Sequence, residues 1–116
     1  PRALNALSAA MCRTVRNRVR RLFAEEQVNC VVLQGSGKAF CAGGDVKAIY
    51  QQGYEGARAF FREEYTMDFL LGQVRPPQCV VSILDGVAMG GGLGISVHGQ
   101  FRVATENTVV AMPECN

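Results

Sequence analysis

The sequence predicts an α/β fold with parallel strands, and three observations point there. Two apolar, β-branched runs, residues 28–34 and Cys79–Leu84, have the length and composition of strands. Each runs into a glycine-containing loop, and each loop is followed by a stretch with helical character. Strand, loop, helix, strand, glycine loop, helix and strand in succession is the pattern of a parallel sheet with crossover helices.

Residues 7–23 place Leu7, Met11, Val15, Val19, Leu22 and Phe23 on one helical stripe, with Ser8 available as N-cap. The stripe is expected to be buried. Arg13, Arg16, Arg18, Arg20 and Arg21 fall on the other faces and read as a solvated surface. Residues 28–34 (VNCVVLQ) read as a strand covered on both faces, ending at Gly35-Ser36-Gly37. A loop through Gly43 and Gly44 follows, and Asp45 stands where an N-cap would open a helix over 46–50. A longer helix is predicted over 55–73, ended by Pro76-Pro77. After Cys79–Leu84 come Asp85-Gly86 and the run Met89-Gly90-Gly91-Gly92. A weaker strand pair, Phe101–Ala104 and Val109–Ala111, is expected around a turn at Glu106-Asn107.

At 116 residues, 48% hydrophobic and with a formal charge of +2, the chain has the composition of one globular domain or part of one. The charge is too small for a nucleic-acid module, so no nucleic-acid partner is expected. No apolar run reaches the roughly 18 residues of a membrane span, and no membrane partner is expected either. Five cysteines without CxxC spacing fit a reducing compartment and argue against a disulfide framework or a zinc site. No targeting segment is visible. Pro1 is an unusual start, and the α/β unit reads as incomplete at both ends.

The two glycine loops, residues 40–45 and 89–92, match neither the dinucleotide-binding nor the P-loop spacing. Their position before helices offers another use. Backbone N–H groups at a helix start have no intrahelical partner, and glycine lets them approach a ligand oxygen closely. Two such donors aimed at one point would hold a developing oxyanion.

Four ordered segments carry a resemblance. Arg2-Ala3-Leu4-Asn5-Ala6-Leu7, Gly37-Lys38-Ala39-Phe40-Cys41-Ala42-Gly43-Gly44-Asp45, Gly86-Val87-Ala88-Met89-Gly90-Gly91-Gly92 and Ala111-Met112-Pro113-Glu114 resemble the successive signatures of the crotonase (enoyl-CoA hydratase/isomerase) superfamily. The stretches 60–65 (FFREEY) and 96–106 (SVHGQFRVATE) are similar to its 3-hydroxyisobutyryl-CoA hydrolase branch. The resemblance implies the crotonase (ClpP/crotonase-like) fold of repeated ββα units, with residues 1–116 forming the N-terminal part of that domain and the remainder following residue 116.

The resemblance further implies a catalytic set of Glu114 with the N–H groups of Ala42 and Gly91 as oxyanion donors. Glu64 is carried to the acyl pocket together with Gly91 and Glu114, and Arg2 and Lys47 to the CoA phosphates and adenine. Hydratases of the superfamily place a second glutamate three residues after the middle glycine of the triplet. Here that position is Gly94. Holding and activating water for addition to a double bond takes two carboxylates, so Gly94 turns the reading from hydratase toward hydrolase. A non-catalytic assembly subunit is the rival of a different class. Asp45 is better explained as an N-cap than as a catalyst, His98 as structural, and Cys41 has no evident base to activate it.

The implied activity is hydrolysis of a short, branched 3-hydroxyacyl-CoA thioester in valine breakdown. CoA belongs to the substrate, and neither metal nor redox cofactor is implied. A homo-oligomer, usually a trimer, or a monomer is expected, in the mitochondrial matrix or alternatively the peroxisome.

Overall fold

The computed structural model describes residues 3–113. Its elements are α1 (Ala9–Leu22), β1 (Cys30–Gln34), β2 (Ala39–Cys41), α2 (Val46–Gln51), α3 (Gly53–Gln73), β3 (Cys79–Leu84), β4 (Val87–Met89), α4 (Gly91–Val97), β5 (Phe101–Ala104) and β6 (Val109–Ala111). The strands form two parallel three-stranded sheets, ordered β1-β3-β5 and β2-β4-β6. Each successive ββ pair sends one strand to each sheet. This is the repeated ββα plan that the resemblance implied.

Two short strands, β2 and β4, lie where the sequence read only loops. Three residues are too few for a propensity signal, and the pairing of β2 with β4 is what makes them strands. The expected pairing of β5 with β6 is not formed. β5 pairs with β3 and β6 with β4, because the turn between them crosses from one sheet to the other.

The three crossing turns stack on one another. Val87 N–H donates to the Lys38 carbonyl and Val109 N–H to the Gly86 carbonyl, at 3.3 and 3.1 Å. Gly86 has a φ of +87°, and a Cβ there would overlap the Lys38 carbonyl oxygen, so this position requires glycine. Asp85 Oδ1 accepts from Asn107 Nδ2 at 3.0 Å and from Thr105 Oγ1 at 2.8 Å. These hydrogen bonds favour the charged form and hold the Asp85 carboxyl below its usual range.

Helix α1 begins as predicted, with Ser8 Oγ accepting from Met11 N–H at 3.2 Å. Its stripe is only partly buried: Leu7 and Val19 are in the core with Cys12, while Met11 and Leu22 are exposed. The arginine face also departs from expectation. Arg16 and Arg13 reach Glu63 of α3 at 2.8 and 3.3 Å, tying the two helices. Helix α3 ends at Gln73, and Val74 is already extended, ahead of Pro76. From α3, Phe60, Met67 and Leu71 enter the same core as Val80, Leu84 and Ile95. Among the described residues, strand β1 is covered on one face and not on the two expected, with Val31 buried and Val32 53% exposed. Among the described residues, no helix is long and apolar enough to cross a membrane.

Candidate active site

The segment before α1 and the loop after β2 are laced together by backbone hydrogen bonds. Ala42 N–H donates to the Leu4 carbonyl at 3.0 Å, Leu7 N–H to Gly43 at 2.7 Å, and Asp45 N–H to Leu7 at 2.9 Å. Leu4 and Asn5 adopt left-handed φ values of 50° and 57° to make this fit. Asn5 is suited to that conformation, and its Nδ2 donates to the Ala39 carbonyl at 2.8 Å and to the Ser36 carbonyl at 3.0 Å. The sequence marked this segment as a motif. The clamping role of Asn5 was readable only from its partners, more than thirty positions away.

The second glycine loop docks against the first. A Cβ at Gly43 would come within 3.4 Å of the Gly91 nitrogen, and one at Gly92 would overlap the Cys41 carbonyl oxygen. Side chains are excluded from this seam, so the main chains meet directly. Both loops then open onto one cavity of about 1040 Å³, to which Gly44 and Gly91 contribute walls. Among the described residues, the N–H groups of Gly44 and Gly91 donate to no acceptor. Both stand at or just before a helix start, where such donors are left over.

This differs from the donor pair expected from sequence. The Ala42 N–H is spent on Leu4, and Ala42 does not line the cavity. Gly44, two positions further on, takes the lining place. The difference arises because residues 4–7 run beside residues 42–45 like an added strand, with Leu7 bridging Gly44, and so consume alternate backbone groups.

Helix α3 brings two carboxyl groups to the same cavity. Glu64 is 5% exposed, and its Oε1 fills the space that any Cβ at Gly91 would need. Asp68, one turn later, is 8% exposed, and its Oδ1 is buried without a hydrogen-bond partner among the described residues. Burial pushes the Asp68 carboxyl up to about 6. No sequence motif marks Asp68. Its signal was the i, i+4 spacing from Glu64, which puts both acids on the helix face that also carries Phe60, Met67 and Leu71.

Other candidates take lesser places. Asp45 Oδ1 caps α2 by accepting from Ala48 N–H at 3.0 Å. Lys47 is exposed in the first turn of α2 and does not line the cavity. His98 is exposed at the end of α4, on the cavity rim, instead of being a packed structural histidine. Burial holds the Cys41 thiol protonated, and burial followed by the nearby Glu64 and Asp68 pushes Cys12 up to about 12, so neither is poised as a nucleophile. Arg2 and Glu114 lie outside the described residues; Met112, two residues before Glu114, lines the cavity.

The comparisons agree with this architecture. The family model for enoyl-CoA hydratase/isomerase matches residues 1–116. The chain is 46% identical over 118 residues to a mitochondrial 3-hydroxyisobutyryl-CoA hydrolase from Danio rerio, and 47% identical to one from Gallus gallus. In each case the alignment covers 98% of this chain and 30% of the relative. A carnitinyl-CoA dehydratase from Mycobacterium thermoresistibile superposes with a TM-score of 0.89 at 42% identity, covering 98% of this chain and 34% of that one. The chain thus spans about a third of the length of the proteins it matches. Its two parallel three-stranded sheets, its paired glycine loops and a family match along its whole length together make this chain a member of the enoyl-CoA hydratase/isomerase family, within the crotonase superfamily.

Proposed function

We propose that the protein carrying this chain hydrolyses the thioester of a short, branched 3-hydroxyacyl-CoA, of the 3-hydroxyisobutyryl-CoA type. The observation that carries this reading is the pair of uncommitted backbone donors, Gly44 and Gly91, on the wall of one cavity that also receives buried carboxyl groups. Attack on a thioester moves charge onto the carbonyl oxygen, and two preorganised N–H groups stabilise that charge. Loss of one such donor typically costs about 3 kcal/mol in the barrier.

In this reading the thioester carbonyl sits between Gly44 and Gly91. Glu114 acts on the thioester carbon, either as nucleophile or as the base that takes a proton from water. In sum, hydroxide from water forms the new carbon–oxygen bond, the carbon–sulfur bond breaks, and the CoA sulfur leaves with the proton. Glu64 backs Gly91 and borders the acyl group. Arg2 and Lys47 serve the CoA phosphates and adenine, Lys47 from outside the cavity. No metal or redox group is called for, since the oxyanion donors and one carboxylate suffice for the chemistry. The names of the two vertebrate relatives support the substrate class and a mitochondrial location, and a place in valine breakdown fits that substrate.

The hydratase reading gains one specific support. Gly94 supplies no second carboxylate, yet Asp68 Oδ2 stands 3.2 Å from where a Cβ at Gly94 would lie. Two parallel assays separate the readings. The full-length protein is given 3-hydroxyisobutyryl-CoA with a thiol-reactive dye, and separately a short enoyl-CoA followed by its enoyl absorbance. Thiol release supports the hydrolase. Loss of enoyl absorbance alone replaces it with the hydratase, and neither signal favours an assembly subunit.

A further inference from the structure

Asp68 is a costly residue to keep where it is. Its neighbours on the cavity wall include Phe60, Phe69, Leu93 and Val97, and a carboxyl buried among them loses hydration that only hydrogen bonds can replace. Oδ1 has no such bond among the described residues. The arginines that α1 turns toward α3, Arg13 and Arg16, are both committed to Glu63. From α1 the neighbouring titratable group is the Cys12 thiol, and from α4 His98 stands exposed at the rim.

The surroundings are nevertheless shaped to admit this carboxyl. A Cβ at Gly94 would press on Asp68 Oδ2 at 3.2 Å, so the missing side chain on α4 leaves the space that Asp68 enters from α3. One turn before, Glu64 backs Gly91. Asp68 thereby lines the same cavity one helical turn along from the contact of Glu64 with Gly91.

We propose that Asp68 is a specificity-determining residue: its carboxylate, on the cavity wall over Gly94, accepts a hydrogen bond from a hydroxyl on the acyl group, while the apolar walls take the alkyl branch. This rests on the acyl-CoA reading above and deepens it. Above pH 6 the Asp68 carboxyl is ionised, and a carboxylate accepts hydrogen bonds without donating any, which matches the single O–H of such a chain. An acyl group lacking the hydroxyl leaves the carboxylate buried and unpaired, and sites built this way discriminate strongly against the analogue.

The test uses the full-length protein with two thioesters, 3-hydroxyisobutyryl-CoA and isobutyryl-CoA, which differ by the hydroxyl alone. The quantity read is the ratio of their kcat/KM values in wild type, Asp68→Asn and Asp68→Leu. A fall in the ratio of at least about tenfold is expected in Asp68→Leu, mostly through slower turnover of the hydroxylated substrate. Asp68→Asn, whose amide oxygen still accepts, should lose less. A merely structural Asp68 would lower both kcat/KM values together and leave the ratio unchanged, which overturns the proposal. If Asp68→Leu is insoluble, Asp68→Ala is read in its place. If wild type hydrolyses neither thioester, the hydrolase reading falls, and the two compounds become unturned ligands. Their Kd ratio then reads Asp68 by the same criterion: a ratio that Asp68→Leu shifts supports it, and one that does not move refutes it.

Discussion

Glu64 and Gly91 are so closely opposed that the carboxylate oxygen Oε1 occupies the volume a Cβ at residue 91 would take. A helix that runs on for two more turns beyond Glu64 thus presses its buried acid onto the first residue of α4, whose N–H is one of the proposed oxyanion donors. Gly91→Ala should displace both at once. In the full-length protein we expect kcat for 3-hydroxyisobutyryl-CoA to fall by roughly a hundredfold or more, the range seen for removal of one oxyanion donor. Steady-state kinetics beside a thermal melt reads it. Near-normal turnover would show that neither Glu64 nor the Gly91 N–H matters to the chemistry.

Gly44 is confined by an aromatic ring. A Cβ there would lie 2.9 Å from Phe60 Cζ and 3.3 Å from Ile49 Cδ1. Gly44→Ala should cost about tenfold in kcat/KM, and adding Phe60→Leu should restore part of it by giving the methyl group room. A double-mutant cycle measures this coupling. Strictly additive effects would mean that the two residues do not share the space the structure gives them.

Glu114→Gln is expected to abolish most thioesterase turnover while CoA-ester affinity stays within about tenfold. The amide has nearly the shape of the carboxylate but neither attacks the thioester carbon nor takes a proton from water. Turnover and Kd measured on the same preparation separate the outcomes. Wild-type turnover would make Glu114 an ordinary turn residue, and a parallel collapse of binding would make it a positioning group.

The Asp68 carboxyl carries a pH signature. Its folded-state value is raised from 3.8 to about 6, so between those values the folded state holds a proton that the unfolded chain has released. Stability contributed by this group is therefore fully present below about pH 4 and is lost as pH rises toward and through 6. Above that, the burial penalty is on the order of 3 kcal/mol. Asp68→Asn should remove the penalty, raising the Tm of the full-length protein at pH 7.5 by a few degrees and leaving it nearly unchanged at pH 4. Equal shifts at both pH values would show that the charge of Asp68 is not what burial opposes.

Much of the fold was legible because it is written locally. Ser8 and Asp45 cap α1 and α2 through bonds to N–H groups three residues away, and the β-branched run Cys79–Leu84 forms β3 with its predicted bounds. The two glycine loops were likewise marked by composition, and four motif segments named the family that the whole chain matches. Such signals survive without tertiary information because the partners lie within one turn or one run of chain.

Tertiary structure decided whatever depends on residues far apart. β2 and β4 exist because they pair across 48 positions from Ala39 to Val87, and β5 and β6 part company because the stacked turns send them to different sheets. It also put Gly44, with its uncommitted N–H, on the cavity wall in place of Ala42, whose N–H the Leu4 carbonyl claims. Asp68 entered the site for the same kind of reason: α3 must pack on α4 before an acid four residues after Glu64 is seen to fill the space over Gly94. Hydrogen-bond capacity and empty volume at a residue are properties of everything that surrounds it, and a linear sequence records only the neighbours along the chain.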